Sequence, residues 1–379
     1  MPSLCFLHVP RDVAYEVGWR LNVALSVPST TLTCNLTSHF PVSVIAIDFA
    51  LWTHFCSQPL NNLSYDRLVT GTNLLPPASN IAALGNQVDM STAKDLKVAL
   101  ERDGFVVVSS GLNNDGLEEL RTASRHITSL AREGKWPHIR TLPRQFPPWP
   151  SDPSLGIWGV QQLMNPSLPS HELFTKTYFS KSILSTVMEL LGPDCKECDL
   201  VMELYNLLIR PDADFELRWH RDDIPPTASD EEELARLDRP AFHAQWNMAL
   251  YEDSSLILVP GTHRRARTQV ERDAGPYDEL PGEIKVHLAP GEMAFYNNNI
   301  LHRGAYKSDV ERMTLHGSMG HVQGGRLRAR NVLQHGRDWI EKVDLGGLEG
   351  QERQVAEGMR DRLLALGLTY EETGFSQDD

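Results

Sequence analysis

From Leu200 onward the chain consists of short apolar and β-branched runs separated by turn residues, and this pattern constrains the fold most strongly. The runs are VMELYNLLIR, FELRWH, HAQWNMALY, LILVPG, IKVHLAPGEMAFYN and RMTLHGSM. Many short strands with turn signals at regular spacing are typical of a β-sandwich or a β-barrel. We therefore predict that this part of the chain forms two layers of β-sheet.

Helices are predicted before these strands. One short helix ends near Arg102, an amphipathic helix follows the turn residues Asn113–Asp115, and two more lie between Ser170 and Gly192,. Between the first two helices, the run FVVVS (Phe105–Ser109) indicates a buried strand,. The order predicts an α+β fold, in which helices brace one face of a double-stranded β-helix, a cupin-like jelly roll.

The predicted domain organisation has three parts. Residues 1–85 carry no motif and are interpreted as an N-terminal extension, residues 86–340 as the jelly-roll domain with its helices, and residues 341–379 as a C-terminal helix with an acidic tail. The proline-rich stretch from Thr141 to Pro153 must be a loop, because proline removes amide donors, and a loop this long and aromatic could border a pocket,.

Composition excludes several classes of function. The net charge of −14 over 379 residues argues against a nucleic-acid binder, which needs a concentrated basic face,. The apolar stretch from Phe40 to Cys56 is interrupted by Asp48 and is too short for a membrane span,. Five cysteines suit a reducing compartment, and the N-terminus does not resemble a secretory signal,. A cytoplasmic location is expected.

His220 and Asp222 form a His-x-Asp pair in the segment WHRDD. Residues i and i+2 of a strand point to the same side, so both side chains can reach one ion. Fourteen histidines and fifty acidic residues in this chain give about two such matches by chance,. The pair therefore gains weight only from other residues.

His302, in FYNNNILHRG, supplies the third ligand of a predicted metal site. Two imidazoles and one carboxylate on adjacent strands can occupy one face of an octahedron and leave three positions open, as in non-haem iron(II) oxygenases. Zinc accepts the same ligands, so the ligand set alone does not choose the metal.

Arg312 follows ten residues after His302, where a hairpin return would bring its guanidinium to the metal pocket. A guanidinium can pair bidentately with a carboxylate and so anchor a dicarboxylate whose other end chelates iron. Thr314, two residues further, faces the same side and can add a hydroxyl donor. These residues favour iron and a 2-oxo acid over zinc.

Together the motifs resemble the phytanoyl-CoA dioxygenase family over roughly residues 103–336. The motifs that carry the resemblance are DGFVVVSSGL, LLGPD, WHRDD, VPGTHR, APGEMAFYNNNILHRG and RMTLHGS. The resemblance implies that His220, Asp222 and His302 bind Fe(II), that Arg312 holds the distal carboxylate of 2-oxoglutarate, and that Trp246 walls the cosubstrate pocket. The chain departs from the family at Arg221, where glutamine is more frequent, and in a longer segment from Ile224 to Phe242.

Four further residues are weaker candidates for the substrate pocket. They are Gln161, Gln162, Asn206 and Arg221. Cross-strand hydrogen bonding explains the amide side chains at least as well.

The resemblance implies a dioxygenase that converts 2-oxoglutarate and O2 to succinate and CO2 while oxidising a C–H bond of a small organic substrate. Because the carboxylate of Asp222 is present, oxidation rather than halogenation is implied. Two alternatives stay open: a jelly-roll binding protein without turnover, and a zinc-dependent hydrolase. The expected partners are a small-molecule substrate and, as an open alternative, a second copy of the chain in a homodimer.

Overall fold

The computed structural model describes residues 20–23, 34–37, 94–240 and 242–367. Contacts divide the chain into two units, Met1–Ser79 and Asn80–Asp379. In the first unit, the described residues form one antiparallel strand pair, β1 (Arg20–Val23) and β2 (Cys34–Thr37). The stretch from Phe40 to Cys56 lies outside the described residues.

The second unit contains the other strands and the helices. The strands are β3 (Phe105–Ser109), β4 (Ile139–Thr141), β5 (Ile157–Val160), β6 (Leu200–Ile209), β7 (Phe215–Glu216), β8 (His243–Ala249), β9 (Leu256–Val259), β10 (Ile284–Lys285), β11 (Glu292–Tyr296), β12 (Leu301–Tyr306) and β13 (Met313–His321). The helices are α1 (Lys94–Asp103), α2 (Asn114–Arg132), α3 (His171–Tyr178), α4 (Lys181–Leu191), α5 (Asp230–Leu237), α6 (Gln269–Asp273), α7 (Gly325–Leu333), α8 (Arg337–Ile340) and α9 (Gly350–Gly367).

The strands of the second unit form two antiparallel sheets. The larger sheet has the order β3-β11-β8-β13-β6-β5-β4, and the smaller has the order β10-β9-β12-β7. Every strand pairing in both sheets is antiparallel. The predicted combination of helices with antiparallel sheet is confirmed.

Helices cover one face of the larger sheet. Trp246, Met248 and Leu315 point from this face into a continuous apolar core that also contains Leu120 of α2 and Val187 of α4. Helix α2 begins where the amide of Gly116 donates to the Asn113 side chain at 2.9 Å, which supports the predicted cap,. The opposite face of the larger sheet is therefore available for contact with the smaller sheet.

Several elements differ from the sequence-based expectation. The run FELRWH forms a strand only at Phe215–Glu216, after which one isolated bridge joins His220 to His302. Residues 230–237, predicted only as part of an insertion, form helix α5. Near the C-terminus the structure has helix α9, in which Met359 and Leu363 are fully buried.

Among the described residues, no helix has the length and apolarity needed to cross a bilayer. The cytoplasmic location stays a prediction.

Candidate metal centre and cavity

The structure brings His220, Asp222 and His302 together at the smaller sheet. The main chains of His220 and His302 exchange two hydrogen bonds, of 3.0 and 3.1 Å, so their side chains emerge side by side. Oδ1 of Asp222 lies 3.5 Å from Nε2 of His220 and 3.6 Å from Nε2 of His302. Neighbouring ligands about 2.1 Å from an ion at right angles are ~3 Å apart, so this spacing fits a shared divalent cation.

Hydrogen bonds orient both imidazoles toward the same point. Nδ1 of His220 lies 2.8 Å from the carbonyl of Arg218, and Nδ1 of His302 lies 2.9 Å from the carbonyl of Ile300. Because a carbonyl only accepts, each Nδ1 must carry the proton, which leaves the Nε2 lone pairs for a metal. This is the same second-layer support that fixes the tautomer of metal-binding histidines generally.

The charge state of these groups also suits metal binding. Burial, followed by the neighbouring His220, lowers the pKa of His302 to about 4, so that ring is neutral at physiological pH. Burial would raise the pKa of Asp222, but His302, His220 and a 3.1 Å hydrogen bond from Gln245 outweigh it and hold the pKa below its usual range. Two imidazole nitrogens and one carboxylate fit either iron(II) or zinc.

The three side chains open into a cavity of about 240 Å³ between the two sheets. Larger-sheet residues on its wall include Leu208, Gln245 and His316, and smaller-sheet residues include Leu256 and Tyr306. Two other triads of metal-binding side chains occur in the described chain, Cys195/Asp199/His321 and His171/Glu172/Asp344, but none of their members lines this cavity.

Arg312 lies on the wall of the same cavity, as the sequence predicts. Its Nε donates to Oδ2 of Asp253 at 3.1 Å, and its guanidinium carbon lies 4.2 Å from the centre of the Tyr306 ring. Its Nη1 is buried and has no hydrogen-bond partner among the described residues. A buried donor of a charged group is costly to leave unpaired, so Nη1 of Arg312 is available to a further acceptor.

The side chain of Thr314 contacts the carboxylate that also holds Arg312. Its hydroxyl donates to Oδ2 of Asp253, the carboxylate that also accepts from Arg312, and the residue is not on the cavity wall. Contact between Thr314 and a cosubstrate stays a prediction. Asp253, which the sequence analysis missed, joins the two residues; the only signal for it was an acidic residue in the turn EDSS.

Trp246 is placed on the wrong side of its strand for the predicted role. Along β8 the side chains alternate, and it is Gln245 and Asn247 that line the cavity. The indole of Trp246 is fully buried on the other face, with ring centres 5.8 Å from Tyr178 and 6.3 Å from Tyr205. Trp246 therefore packs in the core beneath the sheet and does not wall the cavity.

Arg221 also turns away from the cavity, although it lies between two ligand candidates. Its guanidinium is buried and donates to the carbonyls of Thr262, Asn299 and Arg265. Its Nε lies 3.3 Å from Oε1 of Glu233. Arg221 therefore links α5 to the neighbouring loops and is not on the wall of this cavity, so its predicted place in a substrate pocket finds no support there.

The three amide candidates are not among the residues on the cavity wall. Gln161 and Gln162 follow the end of β5, and the Gln162 side chain donates to the carbonyl of His335 at 2.7 Å. The amide of Gln162 donates to Oδ1 of Asn206 at 3.0 Å. Nδ2 of Asn206 is buried and has no hydrogen-bond partner among the described residues, and the place of these three residues in a substrate pocket stays a prediction.

The proline-rich loop borders the cavity, as expected from its length and composition. Phe146, Pro147 and Trp149 of this loop are on the wall, and Phe146 packs edge-on against His220 at 5.5 Å. Arg140 and Trp158, on the flanking strands β4 and β5, complete this side. The sequence analysis did not select Arg140 or Trp158, because nothing local to either residue distinguishes a cavity wall from a core.

No family model matches the chain, and no curated protein matches it. Similar solved structures include EctD from S. alaskensis with bound Fe, at 18% identity and a TM-score of 0.44, over 60% of this chain and 76% of that one. AviO1 from Streptomyces viridochromogenes Tue57 has 18% identity and a TM-score of 0.43, over 60% of this chain and 95% of that one.

A third is SnoN, a non-heme alpha ketoglutarate dependent epimerase from nogalamycin biosynthesis, at 15% identity and a TM-score of 0.41, over 62% of this chain and 85% of that one. These low scores describe loose likenesses, from which no activity follows for this chain.

Proposed function

We propose that this chain is an Fe(II)- and 2-oxoglutarate-dependent dioxygenase that oxidises a C–H bond of a small organic substrate. The observation that carries the proposal is that the triad His220, Asp222 and His302 shares one cavity with Arg312, whose Nη1 has no partner in the described part of the chain. A metal triad alone fits hydrolysis equally well. A partly unpaired guanidinium in the same cavity adds a place for a carboxylate.

Each residue would have a defined task. His220, Asp222 and His302 would hold the iron, and Arg312, oriented by Asp253, would bind the distal carboxylate of 2-oxoglutarate. Iron(II) bound there supplies the redox chemistry by which 2-oxoglutarate and O2 are converted to succinate and CO2 as the substrate is oxidised. Phe146 and Tyr296, whose rings pack against the two histidines, would keep water from that side of the centre,.

The finer assignments belong to the same proposal. The two facing sheets with a cavity between them support a double-stranded β-helix. The domain division, with residues 1–85 as an extension and 341–379 as a C-terminal helix and tail, and the phytanoyl-CoA dioxygenase resemblance stay predictions. Homodimer formation also stays a prediction.

Anaerobic titration of the purified protein with iron(II) and 2-oxoglutarate tests the proposal. We expect a visible charge-transfer band, which Arg312→Gln weakens by raising the 2-oxoglutarate concentration needed at least about tenfold, since a hydrogen-bonded charge pair is lost. Arg353→Gln, an exposed substitution on α9, is the matched control. With oxygen admitted, succinate should form.

The alternatives give different results in the same experiment. A binding protein would form the band without producing succinate. A zinc hydrolase would retain zinc after purification from iron-replete cells and would show no band. Absence of the band under every condition would remove the support for the oxygenase.

A further inference from the structure

Arg140 differs from the other arginines that line the cavity because it has no carboxylate partner among the described residues. Three others each have a carboxylate partner: Arg303 with Glu216 at 2.5 Å, Arg312 with Asp253 at 3.1 Å and Arg328 with Glu203 at 2.5 Å. Across residues 94–240 and 242–367, Arg140 has neither an ion pair nor a side-chain hydrogen bond, and its Nε is buried. Among the arginines on the cavity wall, Arg140 is therefore the one without a carboxylate at ion-pair distance in the described chain.

Two tryptophans hold the Arg140 guanidinium in place. Its central carbon lies 5.1 Å from the ring centre of Trp149 and 5.1 Å from that of Trp158. Both indole N–H groups donate to the carbonyl of Arg144, at 3.1 and 3.2 Å, so the rings themselves are fixed. Cation–π contacts stabilise the charge but use the ring faces, and they leave the guanidinium N–H donors for another acceptor.

The neighbouring strand leaves room for this side chain. Gly159 on β5 is paired with Arg140, and a Cβ at that position would lie 3.0 Å from Cδ of Arg140 and 3.2 Å from the carbonyl oxygen of Leu207. The aliphatic part of Arg140 thus crosses directly over a glycine. Arg140 is placed by its surroundings rather than by an acidic partner.

We propose that Arg140, between Trp149 and Trp158, binds a carboxylate of the primary substrate, which places a carboxylic acid with an apolar or aromatic body in the cavity. An unpaired guanidinium presents the planar fork that matches a carboxylate. The apolar wall beside it, with Phe146, Leu204 and Leu208, suits an uncharged body,. The inference rests on the proposed function, in which Arg312 is already assigned to 2-oxoglutarate.

The burial of Arg140 makes the binding of an anion by its guanidinium favourable. Burial is the main cause that lowers its pKa to about 10, which still leaves the group charged at neutral pH. A desolvated charge without a counter-ion is unfavourable, so a bound carboxylate recovers interactions that the folded chain lacks.

Calorimetric titration with matched probes tests this site. The probes are ω-phenylalkanoates with two to four chain carbons and the corresponding neutral amides, added to the full chain under argon with iron(II) and saturating 2-oxoglutarate. We expect at least one carboxylate to bind about tenfold or more tightly than its amide. Arg140→Gln should abolish that preference, and Arg140→Lys, which keeps the charge but not the fork, should restore part of it.

Control variants separate this site from the cosubstrate site. Arg353→Gln should keep the carboxylate preference, and Arg140→Gln should keep the 2-oxoglutarate charge-transfer band. A preference that persists in Arg140→Gln, or equal binding of every acid and amide by the unmodified chain, would overturn the proposal. If the unmodified chain fails to bind 2-oxoglutarate, the proposed function fails, and the same comparison made without 2-oxoglutarate in Arg312→Gln still tests Arg140.

Discussion

Asp253 determines which atoms of Arg312 remain available. The carboxylate accepts from Nε of Arg312 and from the hydroxyl of Thr314, while its other oxygen accepts from the amide of Ser255 at 2.7 Å. Burial would raise the pKa of Asp253, but Arg312, Ser255 and Thr314 outweigh it and lower the pKa. The carboxylate is therefore charged at neutral pH and holds the guanidinium edge-on, with Nη1 unpaired.

We expect Asp253→Asn to reduce the free energy of unfolding by about 3 kcal/mol, because it leaves buried Arg312 without its counter-ion. Denaturant unfolding monitored by circular dichroism measures this loss. The folded pKa of Asp253 lies below its ordinary value of 3.8. The contribution of the Asp253–Arg312 pair to the free energy of unfolding is therefore complete above pH 3.8. It is lost as the pH falls through the folded pKa of Asp253,.

The difference in the free energy of unfolding between Asp253→Asn and the unmodified chain should therefore be constant at neutral pH. It should become smaller only below about pH 4. Asp309→Asn, at an exposed position on the loop before β13, is the matched control and should change little. Equal stability of Asp253→Asn and the unmodified chain at pH 7 would show that this pair does not stabilise the fold.

The candidate site residues that lie together at the cavity are those with a local pattern in the sequence. His220 and Asp222 share a side because they are two residues apart, and Arg312 reaches the cavity through a hairpin return. Trp246 does not lie on the cavity wall as predicted. A shift of one residue along a strand moves a side chain to the opposite face of the sheet, and the sequence alone did not determine which face of β8 is buried. Arg140 was missed because its two aromatic neighbours are nine and eighteen residues away.

At the scale of elements, α5 and the loop before it depend on one buried carboxylate. Glu233 is fully buried and accepts from the amide of Arg267 at 2.7 Å, from its Nε at 2.6 Å and from Nη2 of Arg272 at 2.8 Å. Arg221 contacts the same carboxylate at 3.3 Å. Three arginines from separate segments thus converge on one residue of the insertion.

We expect Glu233→Gln to reduce the free energy of unfolding by at least about 3 kcal/mol, since it removes the charge shared by buried Arg221 and by half-buried Arg267 and Arg272,. Amide hydrogen exchange should rise first in residues 224–242, because the network anchors that segment. Glu231→Gln, at an exposed position on the same helix, should change stability by no more than about 0.5 kcal/mol,. Unchanged exchange in the insertion would contradict a role for Glu233 as its anchor.

The elements that sequence analysis predicted well are those with a repeated apolar period or an end signal. Strand β3 has the predicted bounds, and α2 begins at Asn114, within the predicted turn residues Asn113–Asp115. Strand β4, only three residues long, has too few positions to show a period. Helix α5 did carry a readable signal, the capping box between Ser229 and Glu232, within a segment otherwise interpreted as an insertion,.

At the scale of the whole molecule, the second unit combines the cavity with the core that supports it. The described cavity residues belong to Asn80–Asp379, as do the members of the largest apolar core. The last helix, α9, is part of this unit: Met359 and Leu363 are fully buried, and Arg362 donates to the carbonyl of Leu200 at 2.7 Å. Sequence patterns could not show this packing, since it joins residues more than 150 positions apart.

Two truncations should therefore behave in opposite ways. A chain that begins at Asn80 should keep its unfolding temperature within about 2 °C and form the same iron and 2-oxoglutarate band, because it retains the described core and cavity. A chain that ends at Glu349 should lose the cooperative unfolding transition, because removing α9 exposes the apolar surface that Met359 and Leu363 cover. Calorimetry and the anaerobic titration, with the full chain as control, measure both. If the first truncation abolished the band, residues 1–79 would contribute to the site; if the second left unfolding unchanged, α9 would be dispensable to the core.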